Sequence, residues 1–162
     1  MLTVAYEIPR KRVPLAILHR GLARLGLGAP ALSFPEAGVC RALVRVPERP
    51  ECYLALLNLL TAIDVWALRT GRYPSLYSGA VRYEREPKGS EVWQSIPILF
   101  RHGIGDCEDL ACACAAEYRV RRGVKARPWL SFKRKPGGGR LFHVVTRLPG
   151  GRIEDPSKRL GM

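Results

Sequence analysis

Cys107, His143 and the carboxylates at the end of the chain, Glu154 and Asp155, are the residues whose types and spacing could do covalent chemistry. Cys107 follows the glycine-rich turn Gly103-Ile104-Gly105-Asp106 and opens a stretch with helical periodicity. A thiol in a first helical turn meets unpaired backbone N–H groups and the positive end of the helix dipole. Both favour a thiolate and can hold a developing oxyanion. Such a nucleophile needs a base to take its proton and a group to orient that base.

The chain has three histidines. His19 belongs to an N-terminal amphipathic segment, and His102 would have to fold back sharply within the cysteine's own loop. His143 lies mid-strand in Leu141-Phe142-His143-Val144-Val145. A histidine there is often purely structural, but the next apolar run ends in Glu154-Asp155-Pro156-Ser157. A carboxylate at the end of a neighbouring strand can reach the imidazole and fix its tautomer. Against this, Asp106, Glu108 and Asp109 surround the thiol with negative charge, which opposes thiolate formation. Asp106 as N-cap and Asp109 at the third helical position are instead suited to a capping box that absorbs free N–H groups.

The elements that must position these groups can be read from the pattern. Cys107, Leu110, Ala111, Cys114, Ala115 and Tyr118 form one stripe of a helix from Cys107 to about Arg122, with Gly123 as its stop. Its alanines allow a sheet to approach closely. Three apolar runs follow, Val124 to Phe132, Leu141 to Leu148 and Arg152 to Glu154, joined by a basic glycine turn over Lys133 to Arg140 and by Pro149-Gly150-Gly151. They predict an antiparallel meander. Upstream, Pro14 to Leu27 predicts an amphipathic helix, Ala29 to Gly38 a connector and Val39 to Val46 a strand. Pro50 to about Thr70 predicts a long, largely buried structural helix stopped by Gly71. Leu2 to Ile8 reads as a strand or an extended surface arm, and Arg72 to Gly89 as an irregular tyrosine-rich passage. Glu91 to Pro97 leads into the loop before the cysteine. Helices first and sheet after predict an α+β chain.

Taken in order, Trp93-Gln94, Gly105-Asp106-Cys107-Glu108-Asp109-Leu110-Ala111, Gly123 to Arg127, His143-Val144-Val145 and Gly150 to Pro156 resemble the core of transglutaminase-like cysteine enzymes, closest to the bacterial transglutaminase-like cysteine proteinases. The resemblance covers about residues 72 to 158. It implies a papain-like fold in which a nucleophile helix packs on an antiparallel sheet, with residues 1–71 as a strand and helical extension of one 162-residue domain. It further implies Cys107 as nucleophile, His143 as general base and acid and Asp155 as the orienting carboxylate. Gln94 or the indole of Trp93 would join the Cys107 backbone N–H in an oxyanion hole. Some relatives place calcium on acids flanking the cysteine, which points to Asp106 and Glu108; no other cofactor is required. Small stand-alone relatives of this kind resemble phage-encoded proteins, so the resemblance sets a virion-associated location beside a cytoplasmic one.

Bulk properties bound the alternatives. There are 27 Lys plus Arg against 14 Asp plus Glu, a formal charge of +13. That balance suits an acidic polypeptide, a nucleic acid or an anionic surface. The functions it leaves are a thiol hydrolase acting on peptide or isopeptide bonds, an acyl transferase of transglutaminase type, and a basic nucleic-acid-binding or virion-assembly protein that keeps the fold without catalysis. The odd set Cys40, Cys52, Cys107, Cys112 and Cys114, without a signal-peptide pattern, predicts reduced thiols. Cys112 and Cys114 point to different sides of a helix, which argues against zinc, and Cys40 and Cys52 read as small buried apolar residues. The longest apolar run, Cys52 to Trp66, is interrupted by Asn58 and Asp64, so no membrane span is expected.

Overall fold

The computed structural model describes residues 1–87, 91–134 and 140–162. The chain is mixed α+β, built on three sheets. Most of the basic glycine turn expected before Arg140 lies outside the described residues.

The amino terminus is the centre of the first sheet, not a surface arm. Strand β1 (Leu2–Pro9) pairs antiparallel with β3 (Val39–Val46) along its whole length and parallel with β5 (Val92–Gln94). The short β2 (Ala31–Ser33) extends the outer edge, so the segment expected to be a plain connector carries a strand. A strand covered on both faces explains why Val4 to Ile8 are all buried. Glu7 is tolerated there because its cross-strand neighbour Arg41 meets it at 2.6 Å.

Helix α1 (Arg12–Arg24) turns Leu18 and Leu22 inward, and α2 (Pro50–Thr70) lies across them. Gly21 marks their closest approach, since a Cβ there would stand 2.1 Å from Leu59 Cδ2. One broad face of α2, with Leu56, Leu57, Leu60 and Ile63, packs in a core shared with Tyr6, Ile8, Val44, Ala111 and Val144. Tyr6 O–H donates to the Leu56 carbonyl at 2.8 Å. Leu54, Leu59, Val65, Trp66 and Leu68 are only partly buried, so α2 is less enclosed than its all-round apolarity predicts. By length and composition alone α2 is also long and apolar enough to cross a bilayer, a test that the core helix of a soluble protein passes as well.

The passage read as a loop before the cysteine contains β5 and then α3 (Ile96–His102), which the sequence reading missed. Helix α3 has no side-chain cap from Ser95. Asp64 of α2 supplies one, its Oδ1 accepting the Ile96 N–H at 2.7 Å from a fully buried position. Gly103 ends α3 at φ 70°. A second small sheet joins β4 (Arg82–Tyr83) and β6 (Ile104–Gly105).

Helix α4 (Cys107–Arg121) packs on α2 and on the third sheet, in which β7 (Arg127–Arg134), β8 (Arg140–Arg147) and β9 (Ile153–Glu154) run antiparallel in that order. The meander is as expected, except that β7 starts at Arg127. Residues 122 to 126 close the helix first: Gly123 takes φ 64°, and Val124 N–H donates back to the Tyr118 carbonyl at 3.0 Å. Residues 1–71 therefore supply a sheet and two helices to the same core as α4 and β8, where a helical extension was expected.

Burial opposes ionisation of Asp64 and raises its pKa, with the Ile96 N–H pulling the other way. Asp64→Asn keeps the acceptor and should change unfolding free energy little in a denaturant titration. Asp64→Ala leaves the Ile96 N–H unpaired in the core and should cost about 1–3 kcal/mol.

Candidate active site

Gly105 sets the approach to the thiol. A Cβ there would lie 2.5 Å from Leu99 Cδ1 and 3.2 Å from Asp109 Cβ, so the chain passes between α3 and α4 only without a side chain. Asp106 then caps α4: its side chain accepts Glu108 N–H at 3.2 Å, and Asp109 Oδ2 accepts Asp106 N–H at 3.4 Å. This is the capping box the sequence predicts. Cys107 occupies the first helical position and is half-buried.

The thiol donates to Glu108 Oε2 at 2.9 Å and sits beside the Val144 backbone N–H on β8. Burial pushes its pKa far above the ordinary range, reinforced by the charges of Glu108 and Asp106; the Val144 N–H alone works to lower it. Glu108 has a second neighbour, Tyr53 O–H at 3.1 Å, and the same hydroxyl lies 2.9 Å from Glu91 Oε2. One hydroxyl proton serves one acceptor fully, so both contacts are complete when one carboxyl is protonated. Burial and the Glu108 charge raise the Glu91 pKa, while the Tyr53 and Trp93 donors pull it down. Glu86, whose carboxylate accepts Val92 N–H at 3.0 Å, is pushed up to about 7 by burial, then by the Glu91 and Glu108 charges against that N–H. Glu86, Glu91 and Tyr53 are members of this cluster that sequence reasoning missed, because they come from the irregular passage and from α2.

On the neighbouring strand the expected base and orienter meet. His143 Nε2 lies 2.9 Å from Asp155 Oδ2. Asp155 is the N-cap of the short α5 (Pro156–Arg159), its Oδ1 accepting Lys158 N–H at 3.3 Å. Glu154 anchors β9 from the other side. It accepts from Tyr77 O–H at 2.5 Å, from Tyr118 O–H and from Arg159 at 2.8 Å. Burial opposes its charge, yet these donors hold its pKa below the ordinary value.

The thiol and the His143–Asp155 pair are adjacent but not joined. Among the described residues no hydrogen bond links Cys107 to His143. Thr146 Oγ1 donates to the Ala111 carbonyl at 3.0 Å, so β8 turns Thr146 and Val144 toward α4 and, by alternation, His143 to its other face. The Val144 N–H, which works to lower the thiol pKa, belongs to the residue next to His143.

Gln94 and Trp93 do other work than the expected oxyanion donation. Gln94 Nε2 donates to the Ile104 carbonyl at 3.2 Å and to Asp109 Oδ2 at 3.1 Å, and its Oε1 lies 2.6 Å from His102 Nδ1. Both amide protons are thereby used. Trp93 is fully buried, edge-on to Tyr6 and Tyr53. Its indole N–H is shut off from solvent without an acceptor in hydrogen-bonding geometry, although Glu91 is near enough to feel it. The oxygens of Asp106 and Glu108 face protein donors, and among the described residues no three His, Cys, Asp or Glu side chains converge as a metal-ligand set. Cys112 bonds the Leu57 carbonyl and Cys114 approaches Tyr77, on different sides of α4.

The chain matches no family model, no curated protein and no solved structure. What it can do therefore rests on its own geometry: a thiol at a helix tip, a buried carboxylate accepting the thiol proton, and a separate imidazole–carboxylate pair on the adjoining sheet.

Glu108→Gln removes the larger of the two charges that raise the thiol pKa. Alkylation of Cys107 by iodoacetamide, followed by peptide mass spectrometry, should then set in at lower pH. Near pH 8 it should run about tenfold faster, the gain in thiolate that comes with a pKa lower by about one. Glu86 predicts a stability effect of definite sign. Its folded pKa of about 7 exceeds the ordinary 4.5, so the native state keeps a proton that the unfolded chain has lost. This contribution is full below about pH 4.5 and fades as pH rises through 7. In thermal unfolding from pH 5 to 8, Glu86→Gln should flatten the decline seen in the wild type.

Proposed function

We propose that the chain is a cysteine hydrolase of transglutaminase-like, papain-like type, cleaving peptide or isopeptide amides through a thioester. The observation that carries this reading is the His143–Asp155 pair at 2.9 Å, on the strand whose next residue, Val144, has the N–H that works to lower the Cys107 pKa. The three residues come from three elements and are 36 and 12 positions apart, so local sequence does not bring them together.

With Asp155 ionised, Nε2 of His143 carries the ring proton and Nδ1 is left as the acceptor. For Nδ1 to reach the thiol, β8 itself must shift or twist against the tip of α4, because His143 lies on the face of the strand turned away from that helix. The sulfur attacks the amide carbon and forms the S–C bond as its proton passes to His143. The imidazolium gives that proton to the leaving nitrogen as the C–N bond breaks, releasing an amine and leaving the thioester. Water, deprotonated by His143, then attacks the thioester, releasing a carboxylic acid and restoring the thiol. An amine in place of water gives transfer. The Cys107 N–H at the tip of α4 is the oxyanion donor this scheme uses. In the arrangement described, Glu108 holds the thiol proton, so this is the resting state and substrate entry must exchange Glu108 for His143 as the thiol's partner.

An electrophilic peptide probe such as an acyloxymethyl ketone should form one adduct at Cys107. Cys107→Ala should abolish it, and His143→Ala should slow it by ~100-fold or more. Adduct formation on the half-buried Cys52, or an unchanged rate in His143→Ala, would remove the basis for the triad.

A further inference from the structure

Between Glu117 and Glu154 the chain contains 36 residues with eleven cations, eight of them arginine, and no acid. Most of the molecule's excess charge of +13 is therefore carried by one stretch, the end of α4 and the β7–β8 hairpin. The register of that hairpin sorts the side chains. Arg127 pairs with Arg147, Trp129 with Val145 and Ser131 with His143, so these six share the face turned away from α4. On it the Arg147 guanidinium lies 4.5 Å from the centre of the half-buried Trp129 ring and Arg127 lies 5.1 Å from it. Among the described residues no carboxylate lies within ion-pair distance of Arg122, Lys125, Arg127, Arg147 or Arg152. Elsewhere the acids are used: Glu7, Glu36, Glu84, Glu117 and Glu154 each meet an arginine.

We infer that this outer face of β7–β8 binds single-stranded nucleic acid. Uncompensated arginines pair with phosphates in a planar, two-bond geometry, and guanidinium planes resting on an indole present a stacking surface that tolerates any base. An acidic polypeptide would satisfy the charges but leave the stacked planes unused. A duplex would hide the faces of its bases. The face is separate from the thiol, so binding requires no catalysis, and the inference goes beyond the hydrolase reading without resting on it.

The full-length protein is titrated with a fluorescein-labelled oligothymidylate of about 15 nucleotides, with a poly-glutamate peptide of equal charge and with a duplex of equal length as competitors. Tight binding of the single strand is expected, with log affinity falling against log salt at a slope of about −2 to −3, as for three or four phosphates. Tryptophan emission should be quenched on binding, and the quench should disappear in Trp129→Phe, which keeps a ring. Trp129→Ala should weaken binding about 5- to 150-fold, and Arg127→Glu with Arg147→Glu should cut the salt slope to about −1, as for the one or two phosphates left. Cys107→Ala should bind as the wild type does. Thermal unfolding of each variant shows whether it is folded; if the double charge reversal is not, Arg152→Glu tests the charge arm alone. The inference is overturned if poly-glutamate or the duplex competes as well as the single strand, or if folded Trp129→Ala binds undiminished.

Discussion

The candidate site depends on one buried carboxylate that is not itself a proposed catalytic group. Asp109, 1% exposed, accepts the Gln94 backbone N–H at 2.7 Å, the Gln94 side-chain N–H at 3.1 Å and the Asp106 N–H at 3.4 Å. Those bonds tie the end of β5, the loop after α3 and the first turn of α4 to a single point. Burial opposes the charge on Asp109 and raises its pKa, as it does for Asp106 beside it. The two Gln94 N–H donors work against that rise on Asp109. The same requirement explains the glycines. Gly103 must take a positive φ to end α3, and Gly105 must lack a Cβ to let Asp109 reach Gln94.

Behind that carboxylate stands the amino-terminal third of the chain. Strand β1 runs parallel to β5 in the register Tyr6 to Trp93 and Glu7 to Gln94, and the Glu7 carbonyl accepts both the N–H and the hydroxyl of Ser95. Asp64 of α2 then takes the next amide, Ile96 N–H. Residues from three distant segments thus fix consecutive backbone groups from Gln94 to Ile96. This rigidity differs in kind from that of the His143–Asp155 side, where a strand of two residues is held by the Glu154 carboxylate clasped between Tyr77, Tyr118 and Arg159.

How much of this the sequence disclosed follows from which interactions are local. The helix opened by Cys107, its capping box and the meander after it are set by nearest-neighbour chemistry: a glycine turn, an Asp three residues from an Asp, and apolar runs parted by turns. The closeness of His143 to Asp155 follows from the meander register and was legible for that reason. The role of residues 1–71 was not, because a parallel pairing between Leu2–Pro9 and Val92–Gln94 leaves no periodicity in either segment. Helix α3 was missed since it has only seven residues and starts with a proline that read as a break. Gln94 was expected as a donor to an oxyanion only through the resemblance to transglutaminase-like enzymes. Its commitment to Asp109, Ile104 and His102 is visible only once three elements are side by side.

Charge is the last constraint, and it acts at two ranges. The excess of basic residues lies on the surface, where salt screens fields beyond about 8–10 Å. The thiol instead has a carboxylate at 2.9 Å in a partly dry pocket. At that distance the local acid dominates, so the positive field of the whole molecule cannot stabilise a thiolate at Cys107. A preformed thiolate–imidazolium pair is therefore disfavoured in the resting arrangement, and the proposed reaction requires the proton to leave sulfur as the S–C bond forms. In the proposed reaction helix-tip amides and His143 would act together in that step: the amides would hold the negative charge once it has moved from sulfur to the substrate oxygen, and the imidazole would carry the proton across.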